Sequence, residues 1–335
     1  MSTISTRRLG AEGPEVAALG LGCMGMSSGV YGAADRDEGI ATIRAALDAG
    51  INLLDTGDFY AHGHNELLVG DALRGRDRDG VLVSVKFGAQ RGPAGDWLGY
   101  DARPAAVKNS LAYSLNRLRV EHVDVYRPAR LDSQVPIEDT VGAIAEMVRA
   151  GYVRYIGLSE VGAETVRRAH TVHPIADLQI EYSLLSRGIE ADILPTCREL
   201  GIAVTAYGVL GRGMLSGRWT ADNVITPGSF WSRSPRFQGE NLQHNLNLVA
   251  ALAKVAEARG ASPAQVAIGW ALSRGADIVP LVGARTRDRL TEALGAAELS
   301  LSDDDLAAVE QAVPAGAAAG DRYDAHQMAA LDSER

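Results

Sequence analysis

The sequence predicts a closed (β/α)8 barrel, the TIM-barrel fold, and three observations lead to this prediction. Short apolar runs of strand-forming residues recur eight times along the 335 residues. An amphipathic segment, with apolar residues spaced by three and four, follows each run. The composition does not shift midway to mark the boundary between two halves that an open dinucleotide-binding sheet, the main alternative, would have.

The eight predicted strands are near-continuous apolar runs, typical of strands that are covered on both faces in a parallel sheet. In chain order they are residues 16–22, 51–56, 81–87, 123–129, 153–159, 176–183, 202–209 and 277–283. The predicted helices between them include residues 36–50, 104–118, 137–151 and 163–173. Capping residues support these helices, with Ser262 as a predicted N-cap and glycine after the last turn at Gly50, Gly151, Gly201 and Gly275.

Three segments lie outside the eight units. Residues 6–16 predict a short hairpin that closes the bottom of the barrel. Residues 217–243 predict a long polar loop after strand seven, and residues 315–335 predict a small, polar tail that is flexible or lid-like. Because the composition does not shift midway, we expect residues 1–335 to form a single barrel domain.

Composition and charge bear on the partners. Acidic residues outnumber basic ones by 42 to 33, giving a net charge of −9, which opposes binding to nucleic acid or to an anionic membrane surface. The two cysteines, Cys23 and Cys197, have neither metal-ligand spacing nor a disulfide framework, which favours a reducing compartment. The N-terminus lacks an apolar signal-peptide core, so we expect a cytoplasmic protein.

Three polar residues at the predicted strand ends form a chemically coherent set, because the carboxyl ends of barrel strands carry the chemistry of this fold. Asp55 ends strand two, Tyr60 follows it, and Lys86 lies inside strand three. A buried lysine needs a charged partner, and Asp55 is the natural one. The ammonium would lower the tyrosine pKa from about 10, making Tyr60 a general acid for a carbonyl oxygen. Alternatively, Asp55 caps a helix, or the Asp55–Lys86 pair is purely structural.

Several motifs together resemble those of the aldo-keto reductases. They run in order over about residues 7–300 and include "LGLGCMGMS", "LLDTGDFYAHGHNELLVGDAL", "VLVSVKFG", "YIGLSEVGAETVRRAH", "LQIEYSL", "TAYGVLGRGMLSG" and "PLVGARTRDRLTEALGA". The likeness is closest to the bacterial and plant group whose fourth strand reads "YxxARLD" or "YxxHRVD". The resemblance implies a barrel that binds NADPH without a Rossmann fold and reduces aldehydes or ketones, or oxidises alcohols. Asp55, Tyr60 and Lys86 match the catalytic Asp, Tyr and Lys of that family.

The sequence departs from the family at the end of strand four. The family usually has a catalytic histidine there, and the register of "VDVYRPARLD" places Ala129 at that position. Hydride transfer stays feasible, but substrate orientation should differ, and His62 or His64 could substitute in part. The residues expected to contact substrate are Tyr31, Ala129, Arg130 and Trp231, and the aromatic residues Tyr31, Trp219, Trp231 and Phe237 are expected to line an apolar mouth that accepts bulky carbonyls.

The resemblance also implies cofactor contacts. Tyr207 would stack on the nicotinamide, and Ser159, Glu160 and Gln179 would bind its carboxamide. Backbone near the pyrophosphate would come from the glycine-rich stretch after strand seven and from the first strand end, through Gly208, Leu210, Gly211, Arg212, Gly213, Gly25 and Met26. After strand eight, a helix N-terminus with Gly283, Arg285, Arg287 and Arg289 predicts a site for a 2′-phosphate, so NADPH (NADP+) is expected over NADH.

Two other functions stay open. The first is an NADPH-binding sensor or regulatory subunit, because the potassium-channel β subunits of this family also lack the strand-four histidine. The second is a metal-dependent barrel hydrolase, disfavoured because the one close histidine pair, His62 and His64, lies in a loop. We therefore expect no metal site. The expected partner is a small carbonyl or alcohol substrate, and the expected state is a monomer or weak homo-oligomer.

Overall fold

The computed structural model describes residues 4–335 and confirms the (β/α)8 barrel. Its strands, in chain order, are β1 (Thr6–Arg8), β2 (Glu15–Ala17), β3 (Gly20–Gly22), β4 (Leu53–Gly57), β5 (Leu82–Phe87), β6 (Ala89–Arg91), β7 (Trp97–Tyr100), β8 (Val123–Pro128), β9 (Val153–Ser159), β10 (Ile175–Glu181), β11 (Ala203–Tyr207) and β12 (Ile278–Val282). The barrel closes in the order β10-β11-β12-β3-β4-β5-β8-β9, and every neighbouring pair in it is parallel.

The predicted N-terminal hairpin is present as the antiparallel pair β1 and β2, and it closes the bottom of the barrel. The Arg7 guanidinium donates to the carbonyl of Gly275, just before β12 begins. Leu9 and Val16 pack with inward-facing strand residues in a small apolar cluster at that end. The predicted first strand, 16–22, was too long, because the chain bends between β2 and β3 and its first residues belong to the hairpin. A second hairpin, β6–β7, follows β5 and was not predicted.

Twelve α-helices occur within residues 4–335, and most of them surround the barrel. They are α1 (Arg36–Asp48), α2 (His64–Leu73), α3 (Pro104–Leu118), α4 (Ile137–Arg149), α5 (Ala163–Val172), α6 (Ile193–Glu199), α7 (Phe230–Arg233), α8 (Gly239–Ala258), α9 (Pro263–Ser273), α10 (Arg287–Glu298), α11 (Asp303–Ala312) and α12 (Ala325–Ala329). Ser262 caps α9 in a capping box with Gln265, as expected. Gly50, Gly151 and Gly201 follow helices with positive φ of 94°, 83° and 68°.

Two segments that the sequence left as irregular are ordered more than expected. The predicted loop 217–243 contains α7, and α8 already begins at Gly239. The tail, residues 315–335, contains α12 and lies against the carboxyl ends of the barrel strands, where the backbone N–H of Gly162 donates to Asp332. No helix of the described chain has both the length and the apolar character that a membrane crossing requires.

The barrel interior changes from apolar at the bottom to polar near the top. Successive inward-facing residues are two apart on each strand, so Val125 is followed by Arg127 and Ala203 by Thr205. Arg127 forms a buried ion pair of 3.0 Å with Asp177 and donates to Thr205 at 3.2 Å. This polar layer lies beside the strand ends that carry the predicted chemistry, since Arg127 is the register neighbour of Lys86.

Gly157 leaves the room that this ion pair needs, and Gly157→Ala tests it. A Cβ there would lie 2.5 Å from Asp177 Oδ1 and 2.8 Å from Arg127 Nε, so the buried pair would have to separate. We expect the free energy of unfolding to fall by about 3 kcal/mol in a urea titration. The control is Gly142→Ala in α4, where a Cβ would meet no described atom within 4 Å. That change should stabilise by about 0.5–1 kcal/mol, and equal effects of both changes would contradict the assignment.

Candidate active site

The core of the site is a buried ion pair between neighbouring strands. β4 and β5 pair in register, with Asp55 opposite Ser84, and each of Asp55 and Lys86 is only 4% exposed. One carboxylate oxygen of Asp55 accepts from the Lys86 ammonium. The other accepts from the Ser84 hydroxyl at 2.9 Å and from the Gln179 amide at 2.7 Å. Asp55 is therefore held from three sides and cannot rotate away from Lys86.

Tyr60 reaches this pair through a turn after β4. The backbone N–H of Asp58 donates to the carbonyl of Lys86 at 2.8 Å, and that of Tyr60 donates to Gly57 at 3.1 Å. These bonds place the Lys86 Nζ 5.1 Å from the centroid of the Tyr60 ring. The structure thus brings together the three residues that the sequence singled out, with the ammonium over the phenol ring.

The charges around Tyr60 shift its pKa upward in this chain, not downward as expected. Burial raises the pKa of Tyr60 well above its ordinary value, and the Asp55 carboxylate adds to this, while Arg130 and Arg212 oppose it. Burial likewise lowers the pKa of Lys86, and the negative charge of Asp55 counteracts that shift. At neutral pH the Tyr60 phenol is therefore protonated, which is the form that can donate a proton.

The loop that carries Tyr60 also contains a carboxyl group with a shifted pKa, that of Asp58. Burial, together with the nearby Glu66, raises the pKa of Asp58 to about 7. Within the described chain, one Asp58 oxygen has no hydrogen-bond partner, and the other accepts only a 3.4 Å bond from the N–H of Gly88. A raised pKa costs folding stability as the pH rises from about 4 towards 7. The loop before Tyr60 is therefore more stable when Asp58 is protonated.

The end of β8 has no histidine, and the two loop histidines bond elsewhere. Ala129 is buried, and its carbonyl accepts from Arg130 at 2.6 Å. The His64 ring bonds to the Ser27 hydroxyl at 2.9 Å, and the His62 ring lies 3.4 Å from the carbonyl of Gly92. The first charged group after Ala129 at this strand end is the guanidinium of Arg130.

Glu160 is occupied by the C-terminal tail. Arg322 binds its carboxylate through two hydrogen bonds of 2.8 and 2.5 Å, and the Ser333 hydroxyl adds one of 2.8 Å. Tyr207 donates to the same carboxylate at 2.5 Å. The predicted contact between Glu160 and a nicotinamide carboxamide would therefore need one of these partners to leave. Gln179 is likewise engaged, because its amide donates to Asp55.

This network sets the protonation state of Glu160. Burial alone would raise the pKa of its carboxyl, but the hydrogen bonds and charge of Arg322, with Arg130 and Tyr207, hold the pKa well below its usual range. A depressed pKa stabilises the folded state at neutral pH. That contribution is lost as the pH falls below about 4.3, the ordinary glutamate value, towards the folded pKa.

Sequence reasoning missed Glu181, Arg322 and Tyr323. Glu181 accepts from Arg212 at 3.0 Å, and Tyr323 joins Arg212 and Tyr207 through bonds of 2.6 and 2.8 Å. The one signal for them was a glutamate inside an apolar strand, which required cationic partners. The tail that supplies one of these partners has a composition that suggested flexibility.

The glycine-rich stretch after β11 forms a turn with left-handed backbone. Gly211, Arg212 and Gly213 have consecutive positive φ values of 55°, 60° and 96°. Arg212 is a non-glycine residue in the left-handed region, where a side chain is strained. Its guanidinium lies 5.0 Å from the Tyr207 ring centroid, on the ring that was predicted to stack on nicotinamide. Leu210 and Gly208 begin this turn, in which the N–H of Gly211 donates to Gly208 at 2.7 Å.

The three arginines after β12 differ in their contacts. Arg285 donates to the backbone carbonyls of Tyr31, at 2.9 Å, and Ala33. Arg287 pairs with Glu38 at 2.9 Å. The Arg289 guanidinium has no hydrogen-bond or ion-pair partner among residues 4–335. Gly283 is open, since a Cβ there would meet no described atom within 4 Å, whereas a Cβ on Gly25 would lie 3.2 Å from Arg285. Met26, beside Gly25, is buried.

Aromatic residues gather at the mouth, as expected, with one exception. The rings of Tyr31 and Trp231 lie 5.4 Å apart, and those of Trp219 and Trp231 lie 5.3 Å apart. Phe237 is only 1% exposed and packs edge-on against Trp219. Phe237 therefore supports the aromatic wall from behind and does not line it. Among residues 4–335, no group of three His, Cys, Asp or Glu side chains could hold a metal ion.

Comparisons with known proteins agree with this geometry. The model of the aldo/keto reductase family matches residues 18–314. A Glycine max protein described as "Probable aldo-keto reductase 1" is 42% identical over 317 residues, covering 94% of this chain and 91% of that protein. A glycerol dehydrogenase from Gluconobacter oxydans superposes with a TM-score of 0.83 at 32% identity, over 93% of this chain and 95% of its own. The holo form of an aldo-keto reductase from Bacillus halodurans gives 0.77 at 25% identity, over 93% and 97%.

Arg322→Met tests the tie between tail and barrel. It leaves the Glu160 carboxylate buried without its cation, so we expect the free energy of unfolding to fall by about 3 kcal/mol in a urea titration. The double variant E160Q/R322M should recover roughly half of this loss, because the buried charge is gone. The control is Arg335→Met, at the exposed end of the same tail, which should be neutral. Equal stabilities of R322M and the wild type would refute a structural tie.

Proposed function

The chain belongs to the aldo/keto reductase family, and from this premise we propose that it uses NADPH to reduce an aldehyde or ketone, with Tyr60 as the proton donor. As a member of the family it is an NAD(P)H-dependent oxidoreductase that acts on carbonyl or alcohol groups. The observation that carries the proposal is the buried Lys86 ammonium, held by Asp55 and lying over the Tyr60 ring.

The proposed mechanism assigns one task to each of these residues. A nicotinamide dinucleotide, when bound, would supply a hydride for the carbonyl carbon. Tyr60 donates its phenolic proton to the carbonyl oxygen, so an alcohol leaves and a phenolate stays behind. Lys86 stabilises that phenolate with its positive charge, and Asp55 holds Lys86 in place. Burial of the group keeps water from competing for the proton and strengthens these electrostatic interactions.

The residues after β12 support a phosphate-bearing cofactor. At the α10 N-terminus the N–H groups of Arg287 and Arg289 already donate to Glu38 and Thr286. The features that favour a phosphate are the open backbone of Gly283 and the Arg289 guanidinium, which has no partner within the described chain. These features suit a 2′-phosphate, whereas Arg285 would have to give up backbone bonds to reach it. We therefore propose NADPH as the preferred cofactor, with Arg289 as its main charged contact. The Tyr207 ring and the Ser159 hydroxyl would hold the nicotinamide.

A second candidate function is favoured by the tail. Arg322 and Tyr323 cover Tyr207 and Glu160, so the mouth is partly closed by the protein itself. An NADPH-binding sensor with little turnover would suit a closed mouth.

Two buried free cysteines, Cys23 and Cys197, support the proposed cytoplasmic location. The proposed partner is a small carbonyl or alcohol.

Tyr60→Phe removes the proposed proton donor and should lower turnover by about 100- to 10,000-fold while leaving NADPH binding unchanged. The assay follows absorbance of the reduced nicotinamide with a panel of aldehydes, ketones and quinones. The control is Tyr113→Phe, on the exposed face of α3, which should keep wild-type rates. Equal turnover in Y60F and the wild type would remove the phenol from the mechanism. Tight NADPH binding with no turnover by the wild type would favour the sensor.

Arg289→Ala removes the unpartnered cation and should raise the Kd of NADPH by about 10- to 100-fold. The Kd of NADH, which lacks the 2′-phosphate, should change less than about threefold, because no charged contact is lost. Fluorescence titration of both cofactors measures this difference. Arg259→Ala, a surface arginine that pairs with Asp305, is the matched control. Equal losses for the two cofactors would contradict recognition of the 2′-phosphate by Arg289.

A further inference from the structure

Arg130 is an arginine of the mouth without a counter-ion. Its guanidinium donates to the Ala129 carbonyl at 2.6 Å and lies 3.4 to 3.5 Å from the hydroxyls of Ser159, Tyr323 and Tyr207. Among residues 4–335, no carboxylate lies within 4.0 Å of it. All of its partners are neutral oxygens, and the last three are at the outer limit of a hydrogen bond.

The carboxylates nearest to Arg130 are already committed. Glu160 receives bonds from Arg322, Ser333 and Tyr207, and Glu181 receives bonds from Arg212 and Ser186. Within the part of the chain that the structure describes, Arg130 takes part in none of the ion pairs of the mouth. Those ion pairs join Arg212, Arg236 and Arg322 to Glu160, Glu181 and Glu334.

The Arg130 side chain is half-buried, and no ion pair with a described residue compensates its charge. A cation that is partly withdrawn from water without a counter-ion is unfavourable, and an anion from outside would reduce that cost. Arg130 lies at the same strand ends as the Lys86–Tyr60 group, because it follows β8, and β8 pairs with β5 so that Arg127 is opposite Lys86. The missing anion would therefore sit next to the carbonyl that Tyr60 protonates.

The phosphates of the cofactor are not placed to fill this position. Arg130 follows β8, whereas the candidate 2′-phosphate site follows β12. In the ring order β12-β3-β4-β5-β8 these strands are four steps apart, on opposite sides of the eight-stranded barrel. The stretch expected near the pyrophosphate, residues 208–213, follows β11, which is three steps from β8, so we place the anion that meets Arg130 on the substrate side of the mouth.

We propose that Arg130 binds a carboxylate of the substrate, so that the enzyme acts preferentially on carbonyl compounds that carry a carboxylate. This inference rests on the proposed function. A guanidinium and a carboxylate form two parallel hydrogen bonds, which fix orientation as well as charge. The Ser159 hydroxyl lies beside the same position and can donate to the bound carboxylate, whereas the single proton of the Tyr207 hydroxyl is already donated to Glu160. Arg130 thereby orients the substrate at a strand end where Ala129 offers no polar group.

The experiment compares acids with their neutral methyl esters. Phenylglyoxylate and its ester place the carboxylate next to the carbonyl, and 4-carboxybenzaldehyde and its ester place it farther away. In the wild type, kcat/KM should be at least about tenfold higher for the acid of at least one pair. Arg130→Gln should lower kcat/KM for that acid by about 10- to 100-fold, mainly through KM, and change the ester less than about threefold.

Three controls separate the charge of Arg130 from effects on folding, on the protein surface and on the cofactor. Arg130→Lys keeps the positive charge and should retain part of the preference for the acid over the ester. It also serves as the test variant if R130Q fails to fold. Arg168→Gln, on the outer surface of α5, should behave as the wild type. NADPH affinity, measured by fluorescence titration, should be unchanged in R130Q. Loss of NADPH affinity would assign Arg130 to the cofactor and overturn the proposal.

The remaining outcomes are equally decisive. Equal loss on acid and ester, or a wild type that does not prefer either acid, would overturn the role of Arg130 in carboxylate recognition. If the wild type shows no turnover, the binding of benzoate and of its neutral analogue benzamide is measured by calorimetric titration. Benzoate binding that R130Q abolishes would then support the carboxylate site while the proposed reductase activity fails. Benzoate binding that does not depend on Arg130 would overturn the carboxylate site.

Discussion

The ion pair between Asp55 and Lys86 is the constraint on which the rest of the site depends. An ammonium buried inside a barrel is tolerated only when a carboxylate compensates it, and Ser84 and Gln179 in turn hold that carboxylate. The arrangement continues downward as the Arg127–Asp177 pair, which fills the barrel interior with matched charges. The apolar bottom of the barrel and the hairpin beneath it keep these pairs out of water. The fold therefore places a fixed positive charge beside one phenol.

The sequence predicted the barrel well because its signal is local. The spacing of apolar residues within each run and each amphipathic segment indicates which face of that segment is buried. A lysine within such a run, Lys86, needs a charged partner, and only a neighbouring strand could supply it. What the sequence could not predict depends on long-range contacts. Arg322 lies 162 positions from Glu160, and nothing in the polar tail indicates where its cation binds. The β6–β7 hairpin was missed for a similar reason, because its exposed residues lack a buried face.

The residues around the mouth differ from those expected, whereas the central group of Asp55, Tyr60 and Lys86 is present. Ala129 stands where a histidine was expected, and the groups that surround this position are Arg130, Tyr207 and the tail residue Tyr323. Glu160, Glu181 and their arginines tie the tail to the strand ends. In the proposed mechanism, the rigid interior moves the proton and the charged rim selects the substrate. The tail belongs to the rim, so its residues affect both the access to the mouth and the charge of the mouth.

The pH dependence of alcohol oxidation in the wild type and in Lys86→Met tests the central claim most directly, because oxidation requires Tyr60 to lose its proton. If the Lys86 ammonium stabilises the phenolate, the rising limb of kcat/KM moves to higher pH in K86M, and the variant loses far more activity at pH 7 than at pH 10. Profiles of the same shape, lowered by one constant factor at every pH, would contradict this role of Lys86.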